Sequence, residues 1–505
     1  MAKAAPSDVK DSVSVTGHVK AATPARALAN VMPQLNKAWW QTPHLLWLNM
    51  TLIIPLLTSY VSGFDGSMMN GIQSVPVWIN DFNEPSGATL GLLSNMQIIG
   101  GAIALPIAPW VSDKFGRRHP IFAGSIVLIV GAAIQGGANG IGMFIAGRGL
   151  VGFGGAFVAT AASPLIAELA YPTQRPIITS IYNTSWYLGS IVAAWVTYGT
   201  FRMPNSWSWR IPSLLQALPS LIQLAFAYLI PESPRWLIAN DQPDEAEKIL
   251  VKYHAGGEMD TELVRWELAE IKLALQSEEE QASASYMHFL KTKGNRHRLF
   301  LAVILGFMIQ WCGNGLITNY LVRVLRNIGI EDPGTQNLIN SILQIVNYIT
   351  ALGSAFVVNQ LGRRFMFLTS IAGMALAFVI WTAISAKNEE QNLKNKGLGI
   401  GIVIMIFVFF VFYNFAMNPV PTAYLLEYGS MLFNGFVNPV ALDAIGWRYY
   451  IVFACLLGVW FAVVWFLFPE TKGRSLEETA VLFDGEGGVS GKEVNAKANI
   501  DRVEA

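Results

Sequence analysis

Two ionisable side chains stand inside apolar stretches: Asp65 near the end of one and Arg148 near the start of another. A charge at membrane depth is costly and usually serves function. An Asp beside an Arg stays ionised, whereas an Asp whose partner moves away can take a proton. The chemistry this points to is reversible protonation of Asp65 against Arg148; the alternative is a fixed ion pair that joins the two stretches. A second set of polar side chains is uncharged. Gln310 and Asn314 are spaced i,i+4, which puts two side chains on one helix face. Asn340, Gln344 and Asn347 form another stripe at helical spacing, and Asn183 and Asn414 lie in further apolar stretches. Amides both donate and accept hydrogen bonds and are cheaper to bury than carboxylates. Spread over several helices they suit a hydroxyl-rich ligand; taken singly they act as interhelical glue.

Such groups need helices in a bilayer to position them, and the composition supplies these. Of 505 residues, 53% are hydrophobic and 13% charged, about half the charged share of a usual globular chain. Lys+Arg and Asp+Glu are each 34, so net charge is zero. An ordinary soluble enzyme is excluded, and a nucleic-acid partner, which asks for a basic excess, is argued against. Apolar segments of about 20 residues, the length that spans a bilayer, fall near 45–64, 90–111, 120–140, 143–168, 177–199, 211–230, 299–321, 337–358, 365–386, 398–420, 428–446 and 449–468. The expected fold is all-α and integral to the membrane. Residues 1–43 read as a cytosolic tail without the apolar core of a signal peptide. Residues 44–230 hold six spans, 231–298 form a charged linker of helix-forming composition, 299–470 hold six more spans, and 471–505 form a second tail.

Loop cations orient the chain. Lys114, Arg117 and Arg118 follow span 2, Arg363 and Arg364 follow span 8, and the linker is rich in Lys and Arg. This predicts that both termini and the linker are cytosolic. Two motifs recur. Asp113-Lys-Phe-Gly116-Arg117-Arg118 returns as Asn359-Gln-Leu-Gly362-Arg363-Arg364, and Pro231-Glu232-Ser233-Pro234-Arg235 returns as Pro469-Glu470-Thr471-Lys472-Gly473-Arg474. Each pair holds equivalent places in a six-plus-six layout, which predicts duplicated halves around a central site.

With these motifs the sequence resembles the sugar-porter family of the major facilitator superfamily. Gly147-Arg148-Gly149, Pro164-Leu-Ile-Ala-Glu168 with Arg175, and Pro231 to Leu237 add to the likeness. Gly63 to Gly71 and Asn438 to Trp447 resemble its fungal branch, and the region of Asn434 and Pro439 resembles lactose permeases. The resemblance implies two six-helix bundles, alternating access and a sugar site at mid-membrane. It implies that Asp65 facing Arg148 marks a proton symporter. It places sugar ligands at Asn347 and Gln310, with Asn314 displaced by one from the usual Asn and Asn183 where many members have Gln; Asn414 joins the candidates as an amide within span 10. It also implies a cytosolic gate built from Asp113, Arg117, Arg118, Glu168, Arg175, Glu232, Arg235, Arg363, Arg364, Glu427, Glu470 and Arg474, joining the bundles in the outward-facing state. There are departures: Ile309 and Gly315 stand where the family has amides, and Asn359 replaces an acid. The largest is at 419–434, where Glu427 runs straight into the next span; by resemblance a connecting loop is missing, and span 11 reads as truncated.

No phosphate-binding loop is present, which disfavours ATP-driven transport, and the six His form no ligand cluster. No cofactor and no metal are expected. The partners expected are a sugar (hexose, pentose or disaccharide), a proton and the bilayer, with the plasma membrane as location. A passive facilitator, a non-transporting sugar receptor and an inactive truncated product are the alternative readings.

Overall fold

The computed structural model describes residues 32–33, 38–258, 261–282, 293–391, 396–417 and 424–470. Among them there is no strand. Twelve membrane helices follow the expected order: α1 (Pro43–Ile72), α2 (Gly87–Ala104, running on as Ala108–Phe115), α3 (Arg118–Gly136), α4 (Ile141–Leu169), α5 (Arg175–Thr200), α6 (Trp207–Leu215 and Ala217–Phe226), α7 (Lys293–Gln310 and Asn314–Arg326), α8 (Pro333–Leu361), α9 (Arg363–Glu390), α10 (Lys396–Ala416), α11 (Tyr424–Ile445) and α12 (Tyr449–Leu467). The linker forms helices Pro234–Ala239, Pro243–Tyr253 and Glu262–Ala282.

In lipid every backbone N–H and C=O must be satisfied within the chain, which is why apolar runs become helices. Nine described stretches are long and apolar enough to cross a membrane, and one of them includes both α11 and α12. The helices that fall outside the nine are α5 and α8. Their polarity has a use: α5 and α8 meet each other across the two bundles, as do α2 with α11 and α1 with α7.

The bundles are sealed by different means. In the first, small residues let helix backbones touch, the commonest way to pack helices where lipid removes the hydrophobic drive. A Cβ added at Gly152 of α4 would overlap the carbonyl of Gln97 on α2. In the second, rings interlock: Phe378 stacks on Trp381 at 5.0 Å, and Trp381 meets Tyr450 at 4.4 Å between ring centroids.

Two sequence expectations change. Gln310 and Asn314 do not share one continuous helix face, because α7 breaks at 311–313, where Gly313 has φ +100°. Span 11 is not short. It begins at Tyr424 and holds 22 residues, about 33 Å of helix against about 30 Å of hydrocarbon. Chain that read as the connection from span 10 is taken into the helix, and Glu427 falls in its first turn rather than at the end of α10. The remaining connection, 418–423, lies outside the described residues.

The glycine contact is testable. Gly152→Val should separate α2 from α4 and lower stability by about 1–3 kcal/mol or more, read as a drop in thermal midpoint of the detergent-purified protein. Gly155→Ala, where nothing lies within 4 Å of the added carbon, should melt as the unaltered chain does.

Candidate functional site

Arg148 reaches from α4 to Asp65 on α1 with both guanidinium ends. Nη1 donates to Oδ1 at 3.2 Å and Nη2 to Oδ2 at 3.1 Å. Nη2 also donates to the main-chain oxygen of Ser94 on α2 at 3.3 Å. Both side chains are 1% exposed or less. The two residues therefore meet as expected, and α2 is drawn in as a third partner that the sequence did not announce.

A polar cluster joins the bundles. The Tyr187 hydroxyl on α5 donates to Asn414 Oδ1 on α10 at 2.9 Å, and Asn414 Nδ2 donates to Asn347 Oδ1 on α8 at 2.9 Å and to Thr350 Oγ1 at 3.2 Å. Asn314 opens the second piece of α7 and donates to the Tyr413 hydroxyl at 3.0 Å. Gln310 closes the first piece; its carbonyl accepts from Asn434 Nδ2 on α11 at 2.5 Å, which satisfies an oxygen next to the helix break. Asn347 and Asn414 are thus bonded to each other, and Asn314 reaches α10 at Tyr413, with Gln310 on the far side of the break. Asn183 is exposed. The exposed apolar residues Ile177, Ile181, Leu188, Val192 and Trp195 run along another side of α5, about half a turn away at roughly 3.6 residues per turn. Asn183 therefore points away from that apolar stripe, one turn before Tyr187. Further up α8, Asn340 Oδ1 accepts from Asn70 on α1 at 3.3 Å and from Gln344 at 3.2 Å. Asn70 Oδ1, Asn340 Nδ2 and Gln344 Oε1 are buried without a hydrogen-bond partner, an arrangement that a hydroxyl-bearing ligand or water would complete.

Beyond this cluster the two bundles are bonded on the face away from the Gly-Arg-Arg turns. Gln73 donates to the Asn319 carbonyl at 2.9 Å, Asn337 to Ser74 Oγ at 2.6 Å, and Arg323 to the Pro85 carbonyl at 3.0 Å. Arg323 also holds Asp443 at 2.6 Å, whose other oxygen accepts from the Gly87 amide at 3.3 Å. Tyr320, fully buried with non-helical φ/ψ, donates to the Gly435 carbonyl at 2.6 Å and accepts from Asn95 at 3.3 Å. Asn70, Asn95, Asn337 and Asn434 are polar residues in apolar runs, a signal present in the sequence; which helices they would bridge was not.

The repeated turns form one device twice. Gly116 and Gly362 have φ +90° and +89°, a conformation only glycine adopts without strain. Glu232 accepts from the Arg117 and Arg118 amides at 2.8 and 3.3 Å, and Glu470 from the Arg364 amide at 3.2 Å. Arg118 donates to the Tyr228 carbonyl at 2.5 Å, as Arg364 does to the Trp465 carbonyl. In the first half Arg117 also binds Asp113 at 2.8 Å and approaches Glu168 at 3.6 Å, and Ser233 donates to Glu168 at 2.5 Å. Burial works against the Arg117 charge, yet Asp113 and Glu168 outweigh it and hold the guanidinium above its ordinary range. Arg235 pairs with Glu278 of the linker instead. No bond of the Arg175 or Arg363 side chain is found among the described residues. Arg474 and the Glu427 side chain lie outside them. Among the described residues, the gate bonds named here stay within one bundle or reach the linker.

The linker is fastened to the end of α4. His254 meets Glu267 at 2.8 Å and the Leu169 carbonyl at 3.1 Å. Burial, with the Glu267 carboxylate adding to it, pushes the neighbouring Tyr171 hydroxyl up to about 12.

The profile of the family described as sugar (and other) transporter matches residues 51–433 and 429–483, two matches that meet at the start of α11. The chain is 26% identical over 471 residues to the high-affinity glucose transporter of Kluyveromyces lactis, covering 86% of this chain and 85% of that one. It is 28% identical to the sugar transporter STL1 of Saccharomyces cerevisiae, over 85% of this chain and 79% of the other. Its fold matches the proton:xylose symporter XylE bound to 6-bromo-6-deoxy-D-glucose with TM-score 0.68 at 19% identity, over 86% of this chain and 99% of that one.

Removing one member of a buried ion pair strands the other, at about 3–5 kcal/mol. Arg148→Leu should therefore lower the thermal midpoint sharply. Asp65→Asn combined with Arg148→Leu should recover most of that loss; a double variant no better than the single one would show that the pair is not what Arg148 stabilises.

Proposed function

Because the chain belongs to the sugar (and other) transporter family of multi-pass membrane proteins, we propose that it imports a sugar by proton symport, with both termini and the linker in the cytosol of a plasma membrane. The observation that carries the coupling is the buried bidentate Arg148–Asp65 pair. In lipid surroundings an unpaired carboxylate is unstable. The pair therefore has two tolerable conditions: ionised and joined, or protonated and released. A proton on Asp65 removes the acceptor charge that makes the bonds strong.

The sugar binds where the polar cluster now bridges the bundles. Tyr187 donates to Asn414, using atoms that sugar hydroxyls take when present. Asn183 and Tyr187 serve from the first bundle and Asn314, Asn347 and Asn414 from the second, so a bound sugar ties the halves together. Gln310 shapes the site from the α7 break. The closure of the face away from the Gly-Arg-Arg turns by Arg323, Asp443, Gln73 and Tyr320 supports an inward-facing reading of this state. In the outward-facing state the gate closes instead, with Glu168, Arg117 and Arg118 of the first half reaching the second across the seam. The fold likeness to a proton:xylose symporter and the likeness to glucose transporters support this reading.

Two measurements in liposomes, with D-glucose and D-xylose as probes, test it. Asp65→Asn should abolish accumulation driven by a pH gradient and leave sugar exchange measurable; full accumulation in that variant would return the chain to passive carriage. Asn347→Ala should weaken apparent affinity about tenfold or more, from a loss of about 1–3 kcal/mol when a buried hydroxyl loses its partner. Unchanged affinity at normal surface level removes Asn347 from the site.

A further inference from the structure

The ion pair and the outer closure share one short stretch of α2. Arg148, while holding Asp65, donates to the main-chain oxygen of Ser94 at 3.3 Å. The next residue, Asn95, is fully buried and donates to the Tyr320 hydroxyl at 3.3 Å, and Tyr320 donates on to the Gly435 carbonyl at 2.6 Å. A continuous line of bonds thus runs from α1 through α4 and α2 to α7 and α11, that is, from the first bundle into the second. The contact leaves no slack, because a Cβ at Gly435 would overlap the Asn95 amide. Asn95 is anchored on its own helix by a 2.6 Å bond to the Gly91 carbonyl, and its Oδ1 is buried without a partner. It does not touch the sugar cluster or Asp65.

We propose that Asn95 is the positioning residue that transmits the state of the Asp65–Arg148 pair to the outer closure. The proposal rests on the symport reading above and adds to it the route by which proton and gate are linked. While Asp65 is ionised, Arg148 spans Asp65 and Ser94 and fixes the register of α2, so Asn95 stands against Tyr320 and the outer face is closed. When Asp65 takes a proton, Arg148 loses its carboxylate partner and this hold on α2 relaxes; Asn95 withdraws from Tyr320, and α7 and α11 are free to part from α1 and α2. The sign follows: acid favours the outward-open state and alkali the closed one described here. Other charged groups do not confuse the response at this point. Between its ends α8 carries no charged side chain and one phenol, Tyr348, and α5 carries no charge beyond Arg175 at its start and the phenols Tyr182, Tyr187 and Tyr198. On α6, Arg210 is bonded to Ala138 and Asn139. Along α7, Arg323 is paired with Asp443 further out, and Arg326 donates to the Gln73 carbonyl at the end of α1 at 3.4 Å.

The test reads the closure directly, without a sugar. Spin labels at Glu84→Cys and Ala444→Cys, in a Cys455→Ala background and in lipid nanodiscs, report the distance across the outer seam. In this background acidification should raise the open-to-closed ratio severalfold. Asp65→Asn should abolish that response. Asn95→Ala and Tyr320→Phe, which cut the same bond from opposite sides, should each raise the open fraction at alkaline pH and lose most of the pH response, and their combination should do no more than either alone. Retention of the full response in both Asn95→Ala and Tyr320→Phe, with Asp65→Asn unresponsive, overturns the link and leaves the proton site standing. A response that survives Asp65→Asn overturns the proton site itself, and the link with it.

Discussion

The bonds between Arg148 and Asp65 are the interaction on which the first bundle depends. Withdrawing two charges from water costs several kcal/mol for each before their attraction offsets it. The pair survives only where its geometry is held from every side. Both guanidinium ends are used, α2 supplies a carbonyl to one of them, and α2 and α4 approach so closely that Gly152 has no room for a side chain. Close helix contact and the buried pair are therefore one arrangement. Loosening the packing would admit water and weaken the bonds; removing a charge would leave the packing around an unpaired one.

The same constraint explains how polarity is distributed. Helices that face only lipid can be uniformly apolar, whereas α5 and α8 carry amides, hydroxyls and tyrosines and meet each other across the bundles. Their polar atoms find partners on the opposite bundle, as in Tyr187 to Asn414, or are buried without a partner, as is Gln344 Oε1. The described bonds across the seam between the bundles lie at the polar cluster and on the face away from the Gly-Arg-Arg turns.

The two halves show how one local device serves two packings. A positive-φ glycine followed by arginines, capped by a glutamate from after the sixth helix of the same half, occurs with nearly identical φ at Gly116 and Gly362. Around it, one bundle is sealed by backbone contact and the other by aromatic rings. The turn is specified by a handful of residues and is indifferent to what the helices beyond it use to pack.

Much of this was legible in the sequence because the bilayer leaves so few choices. Apolar runs of spanning length must be helices, the repeated motifs must turn alike, and Asp65 and Arg148 must find each other, since neither tolerates lipid alone. The amides of α8 were readable from their spacing for the same reason. What the sequence could not determine depends on contacts between distant segments. Gln310 and Asn314 look like neighbours on one face until Gly313 breaks α7, and whether a glycine takes a left-handed conformation is decided by what its neighbours pack against. Residues 424–427 look like the end of one span and belong to the start of the next, because a helix boundary in lipid follows the depth of the hydrocarbon and not the local composition. Asn95, Tyr320 and Gly435 carry no shared spacing or motif. Their bond exists only because two bundles close on each other, and that closure is a property of the folded whole.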